Sequence, residues 1–244
     1  MNVARPTLPM ESRLPFQHPE IAAVLERLHN EAKSDKWKKA RRKPGVLWAR
    51  LNNRKWDESL MHEQFHDLYM SISREQGALL YLIARAIQAR RIVEFGSSFG
   101  VSTIYLATAV LDNLHSNPAA GGQVIGSEME PRKHAMATQN LEAARLSGIA
   151  KILPGDARET LQTVEGPVDL VLLDGWKALY LPIMKLLTPK LRPGAVVMSD
   201  NILKFKEILT PFVEYMQSGT NGFVSSTLKI SGGFEFSVFQ HPGD

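Results

Sequence analysis

Cysteine is missing from all 244 residues, which excludes a disulfide framework and any cysteine-ligated zinc site. Nothing therefore asks for an oxidising compartment, and the cytoplasm is the expected location. Long apolar runs are missing too: none approaches the ~20 residues of a membrane-spanning helix. The opening stretch MNVARPTLPMESRLP carries prolines and arginines where a signal peptide needs an apolar core. A soluble protein is expected. Net positive charge is confined to one place. The formal net charge is +4, yet Lys33 to Lys43, KSDKWKKARRK, alone holds seven basic residues and one acid. Such a run can meet nucleic acid or an anionic membrane. No aromatic platform or nucleic-acid module accompanies it, so it reads as a solvated helix or arm, and neither partner is expected.

What is present suits one α/β domain, since a 44% hydrophobic chain of this length can bury a full core. Before about residue 70 the pattern is irregular, with helices at Pro19 to Lys33 and around Glu58 to Tyr69. It reads as an N-terminal helical extension, 1–70, packed on a main domain, 71–244. Ser73-Arg-Glu-Gln76 forms a capping box ahead of an apolar helical face. Strands and helices then alternate, with strands at Arg91 to Phe95, Gln123 to Ser127, Lys151 to Leu153, Val168 to Leu173 and Ala195 to Ser199. Alternation of this kind predicts a doubly wound, mostly parallel sheet. The segments Phe223 to Ile230 and Phe234 to Phe239, separated by Ser231-Gly-Gly233, form a closing antiparallel hairpin and bring the sheet to seven strands.

The chemistry gathers where strands end, as in open parallel sheets generally. After the first strand comes Glu94-Phe-Gly96-Ser-Ser-Phe-Gly100, a glycine turn that admits a ligand close to the backbone but lacks the full dinucleotide pattern G-x-G-x-x-G. The second strand ends in Glu128, where an acid typically holds ribose hydroxyls. The third ends near Asp156, where an adenine would lie. Each acid alone could be a surface charge or helix cap, but together they favour an adenosine ligand. Two further strands end in acids: VLLDGWK places Asp174 at one strand end, and AVVMSDN places Asp200 and Asn201 at the next. Three hard oxygen ligands on neighbouring strands suit Mg²⁺, with open positions for a diol. Lys177 stands one turn beyond Asp174, where a cation's field and partial burial favour its acting as a base.

VEFGSSFGVST, VIGSEMEP, LLDGWKALYLP, LRPGAVVMSDN and SGGFEFSVF, in this order, resemble the motifs of class I S-adenosylmethionine-dependent methyltransferases, and among them the catechol O-methyltransferase family. The resemblance spans roughly residues 70 to 240 and implies a Rossmann-like methyltransferase fold. It also implies Mg²⁺-dependent methyl transfer from S-adenosylmethionine to a small aromatic diol. Asp174, Asp200 and Asn201 correspond to the metal ligands, Lys177 to the general base, and Glu235 to the carboxylate that binds the unreactive hydroxyl. Lys177 and Asn201 would also touch the substrate. Glu94, Ser102 and Glu128 match cofactor contacts, and the same motifs put Gly96, Ser97, Met129, Ala157 and Trp176 along the cofactor, with Ile72, Asp156 and Asp174 beside them. Two departures stand out. Gly175 replaces a larger residue, and Ile202 to Thr210, ILKFKEILT, differs from the family's usual substrate loop.

Other readings compete with this one. His62-Glu-Gln-Phe-His66 has the H-E-x-x-H form of zinc proteases, but the extended metzincin pattern is absent, so it reads as a packed or substrate-facing helix. Methyl transfer to another small-molecule hydroxyl, RNA methylation through the basic arm, and a non-catalytic cofactor-binding scaffold are the alternatives. A binder would need neither base nor metal ligands, and a diol-binding metal site does not suit a base nitrogen. A homodimer is compatible with the sequence and not demanded by it.

Overall fold

A computed structural model describes residues 18–34, 72–116, 121–230 and 232–240. Most of the basic run and the expected helix over Glu58 to Tyr69, with His62 and His66, lie outside the described residues. In chain order the elements are α1 (19–34), α2 (Arg74–Ala86), β1 (Arg91–Phe95), α3 (Val101–Ser116), β2 (Gln123–Glu128), α4 (Pro131–Ala143), β3 (Ala150–Pro154) and α5 (Ala157–Thr160). Then come β4 (Val168–Leu173), α6 (Tyr180–Leu187), β5 (Leu191–Asp200), α7 (Lys206–Gln217), β6 (Phe223–Leu228) and β7 (Phe234–Phe239). The seven strands form one sheet in the order β3-β2-β1-β4-β5-β7-β6. The first five pair in parallel, while β7 runs antiparallel between β5 and β6.

The near-continuous apolar strands are explained by helices on both faces. Ile92, Leu170, Leu172 and Met198 point into a core shared with Leu28 of α1, Leu80 of α2 and Leu106 of α3. Their neighbours Val93, Val171, Leu173 and Val197 face Tyr180, Ile183 and Phe212 of α6 and α7. Helix α1 is thus part of the core: Ile21, Leu25 and Leu28 are buried in it. Among the described residues, no helix is long and apolar enough to cross a membrane.

Strand boundaries differ in one informative place. The sequence pattern predicts a strand from Ala195, where the apolar run begins. Instead β5 starts at Leu191 and passes through them, with the β4–β5 register shifting between Val168 and Leu170. A bulge of this kind tolerates a proline that cannot donate to the ladder.

Helix α2 begins with the expected capping box, in which Ser73 Oγ accepts from Gln76 N and Gln76 Oε1 accepts from Ser73 N. The residue after the box, Gly77, lies flat against the Tyr105 ring of α3, where a β-carbon would come 2.3 Å from the ring. Tyr105 in turn contacts His29 Nε2 of α1 at 3.1 Å, so three helices meet at this glycine. Gly77→Ala should therefore destabilise the protein by about 1–3 kcal/mol through overpacking, although helix propensity alone would stabilise it by about 1 kcal/mol. Urea unfolding of the two proteins decides the sign.

Candidate functional site

The order in which strands are added reverses between β1 and β4, and their carboxyl ends form the crevice where ligands gather in such folds. Two backbones touch there. Gly96 has φ +93°, and a β-carbon on it would sit 2.4 Å from Gly175 Cα. The glycine turn is fastened on its other side, since Gly96 N and Ser97 N both donate to Ser127 O and Ser98 N donates to Glu128 Oε2 at 2.8 Å. Beside this turn lies a recess lined by Ile72, Gly96, Ser97, Ser98, Phe99, Val101, Ser102 and Asp174.

Glu94, fully buried, sits at the base of the turn. Its Oε2 accepts from Ser97 Oγ at 2.7 Å and from Thr103 Oγ1, while Oε1 has no hydrogen-bond partner among the described residues. Burial raises its pKa above the usual carboxylate range, against the pull of the Ser102, Thr103 and Ser97 hydroxyls. A buried carboxylate oxygen without a donor fits an ammonium group, and the amino acid end of S-adenosylmethionine carries one. Glu128 accepts from Ser98 N and from Glu130 N at 2.9 Å, and burial raises its pKa as well.

The second cluster joins the recess through Asp174. Leu173 pairs with Ser199 in the β4–β5 register, so the next residues, Asp174 and Asp200, emerge side by side. Asn201, at φ +68°, turns its amide back between them: Nδ2 lies 2.6 Å from Asp200 Oδ2 and 3.4 Å from Asp174 Oδ1. Lys177 Nζ reaches Asp174 Oδ1 at 3.2 Å and donates to Tyr180 OH at 2.7 Å. That hydroxyl donates to Asp200 O at 3.1 Å. Burial, and then the charge of Asp174, push Asp200 up to about 7, and burial raises Asp174. Among the described residues no group of three His, Cys, Asp or Glu could hold a metal. A cation here would take two carboxylates and the Asn201 amide, an all-oxygen set that suits Mg²⁺ once the amide presents its oxygen. Two repelling acids, buried Asp200 and half-buried Asp174, that share an amide donor fit such an ion.

Residues 93–202 match the family Methyltransf_24, a methyltransferase domain. In sequence the chain is similar to S-adenosylmethionine-dependent O-methyltransferases of catechol O-methyltransferase-like type. It is 34% identical over 141 residues to a catechol O-methyltransferase of Mycobacterium tuberculosis, covering 57% of this chain and 60% of that protein. Against a catechol O-methyltransferase of Niastella koreensis the identity is 33% over 144 residues, covering 57% and 62%. The chain therefore spans about three fifths of the length of the curated relatives it matches. In fold it is similar to TomG of Streptomyces achromogenes, an O-methyltransferase solved in complex with SAM, at a TM-score of 0.64 and 26% identity over 80% of this chain and 95% of that one.

Most of the expected residues converge. Ile72, Gly96, Ser97 and Ser102 line the recess with Asp174, and Lys177, Asp200 and Asn201 form the adjoining cluster. Trp176 follows two residues after Asp174 and packs against the α6–α7 side of the core. Ala157 is buried at the start of α5, and Met129 is 67% exposed beyond β2. Asp156 caps α5: its carboxylate accepts from Arg158 N at 2.8 Å, and the hydrogen bond from the Arg158 side chain holds its pKa low.

Glu235 requires a correction. The resemblance implies a carboxylate free to bind the substrate's unreactive hydroxyl, whereas the structure gives it other partners. Glu235 is fully buried on the α7 face of the sheet. Oε1 accepts from Gln217 Nε2 at 2.7 Å and Ser225 Oγ at 2.5 Å, and Oε2 accepts from Thr227 Oγ1 at 2.5 Å. The carboxylate is taken up in joining α7 to the hairpin, because alternation along β7 sends its side chain to that face. Gly175 also has a local reason, as a β-carbon there would meet the Phe95 ring at 2.6 Å. Sequence reasoning missed Tyr180 and Gln76. Tyr180 stands three residues after Lys177, on one helical face with it; Gln76, which donates to Asp200 Oδ1 at 3.1 Å, reads in the sequence only as a cap residue.

The raised pKa of Asp200 sets a stability prediction for protein kept in chelator. The folded state holds a proton that the unfolded carboxylate releases, so the associated stability is present at low pH and lost as pH rises through about 7. The melting temperature should fall as pH rises from about 4 to about 7 and level off above that, and Asp200→Asn should reduce that fall. An equal fall in the variant would assign the pH dependence elsewhere.

Proposed function

We propose that this protein transfers a methyl group from S-adenosylmethionine to one hydroxyl of a catechol-like aromatic diol, with Mg²⁺ held by Asp174, Asp200 and Asn201. The observation that carries this reading is that Asp174 belongs both to the recess beside Glu94 and to the acid pair next to Lys177. A methyl donor in the recess and a hydroxyl at the acid pair would therefore be neighbours. The relatives' activity and the sequence motifs support the same assignment.

The chemistry is one of positioning and proton removal. S-adenosylmethionine supplies an electrophilic methyl group, whose transfer to a phenolate forms a C–O bond as the C–S bond breaks and cancels opposite charges. The enzyme therefore gains little from stabilising new charge and must generate the phenolate and align it. Mg²⁺ supplies a positive field that favours the ionised form of a nearby hydroxyl. Lys177, in its neutral form, takes the hydroxyl proton on Nζ, which Asp174 and Tyr180 hold in place. Glu94 offers Oε1 to the cofactor's ammonium, and Glu128 stands at the end of β2 for the ribose.

Asp174→Ala and Asp200→Ala should abolish Mg²⁺-dependent turnover; near-normal activity of both in chelator would overturn the metal assignment. Asp200→Ala should also leave cofactor affinity within a few fold, because Asp200 does not line the recess. Lys177→Met should lose ~10²–10⁴-fold in turnover while still binding metal and cofactor. A panel of aromatic diols assayed with and without Mg²⁺ tests the substrate class. Methyl transfer to a different small-molecule hydroxyl is the second reading, favoured by the exposed Leu203 and Ile208 in the segment that departs from the family's usual substrate loop.

A further inference from the structure

Beyond its part in the helix cap, we infer that Gln76 is a positioning residue, holding the Asp200 carboxylate in the orientation in which it meets a divalent cation. This rests on the metal reading above and goes beyond it, since Gln76 touches neither the ion's place nor the substrate's.

Gln76 is buried and both ends of its amide are engaged. Oε1 accepts from Ser73 N at 2.9 Å, closing the cap of α2, and Nε2 donates to Asp200 Oδ1 at 3.1 Å across 124 positions of sequence. The bond to Ser73 fixes which way the amide faces, so its NH₂ is directed at the carboxylate. The other oxygen, Oδ2, accepts from Asn201 Nδ2. Asp200 is thereby gripped from two sides, by a strand-end neighbour and by a helix across the crevice. Helix α2 cannot easily shift, because Gly77 is pressed on the Tyr105 ring. A capping box needs only the acceptor of a Gln or Glu. Glutamine adds a donor, and a neutral donor orients the acid without offsetting either negative charge of the Asp174–Asp200 pair. A lysine or arginine at this place would cancel one of those charges and weaken the attraction for a cation. Partners that orient metal ligands typically change metal affinity by ~10–100-fold when removed.

Two variants separate positioning from simple capping. Gln76→Met keeps the length and loses both the acceptor and the donor, whereas Ser73→Ala breaks the bond from Gln76 N but leaves Ser73 N to hold the Gln76 side chain. Mg²⁺ binding is measured by calorimetry on full-length, cofactor-free protein, alongside the melting temperature. Gln76→Met should bind Mg²⁺ about 10–100-fold more weakly than wild type, and Ser73→Ala should melt lower yet bind Mg²⁺ within about twofold. Equal affinity in Gln76→Met and wild type would overturn the inference and leave the metal reading intact. Equal weakening in both variants would also overturn it, because the cap alone would then be responsible. No Mg²⁺ binding by wild type would overturn the metal reading itself, and this inference with it. Should Gln76→Met fail to fold, the side-chain amide resonance of Gln76 in wild-type protein decides. It should shift on Mg²⁺ addition while that of exposed Gln88 stays; an unmoved Gln76 resonance overturns the inference.

Discussion

The repulsion between Asp174 and Asp200 is the constraint around which the rest of this edge is arranged. Strand pairing brings the two acids together, because Leu173 lies opposite Ser199 and each acid follows one residue later. Burial then makes their charges costly, which is visible in the raised pKa values of both. Hydrogen bonds from Asn201, Lys177 and Gln76 reduce that cost without removing it. Such a pair is costly when empty and would be relieved by a cation, which is what the proposed metal reading requires.

A second constraint places the recess beside Glu94 against that pair. Gly96 and Gly175 let the turns after β1 and β4 approach until their backbones touch, and Asp174 N donates to Phe95 O at 2.9 Å across the same seam. The recess and the acid pair consequently share Asp174 as a wall. Glu94 completes the arrangement from below, a buried acid satisfied on one oxygen and open on the other. Such incomplete satisfaction is uncommon in interiors and concentrates where ligands supply the missing partner.

The polar residues at the far side of the sheet have a different logic. Glu235, Ser225, Thr227 and Gln217 satisfy one another, and a fully satisfied network of that kind specifies how a hairpin and a helix fit together. The contrast with Glu94 shows why burial of an acid alone does not mark a site. What matters is whether its lone pairs are already taken.

Periodicity and strand-end chemistry determined a good deal by themselves. Apolar runs bounded by turn residues made β1, β4 and β7 legible to the residue, and acids ending β4 and β5 pointed to one edge. The glycine turn, Glu94, Glu128 and Lys177 followed from their distance to those strands. Two features were decided only by the tertiary structure. Which face of β7 carries α7 is set by packing between elements, and that face captured Glu235. Gln76 reaches Asp200 because α2 is pressed onto α3 beside the crevice, a contact between residues 124 positions apart that no local pattern records. Local sequence encodes which backbone each segment adopts and which groups stand at its ends; the partners of those groups are chosen by how the finished elements pack.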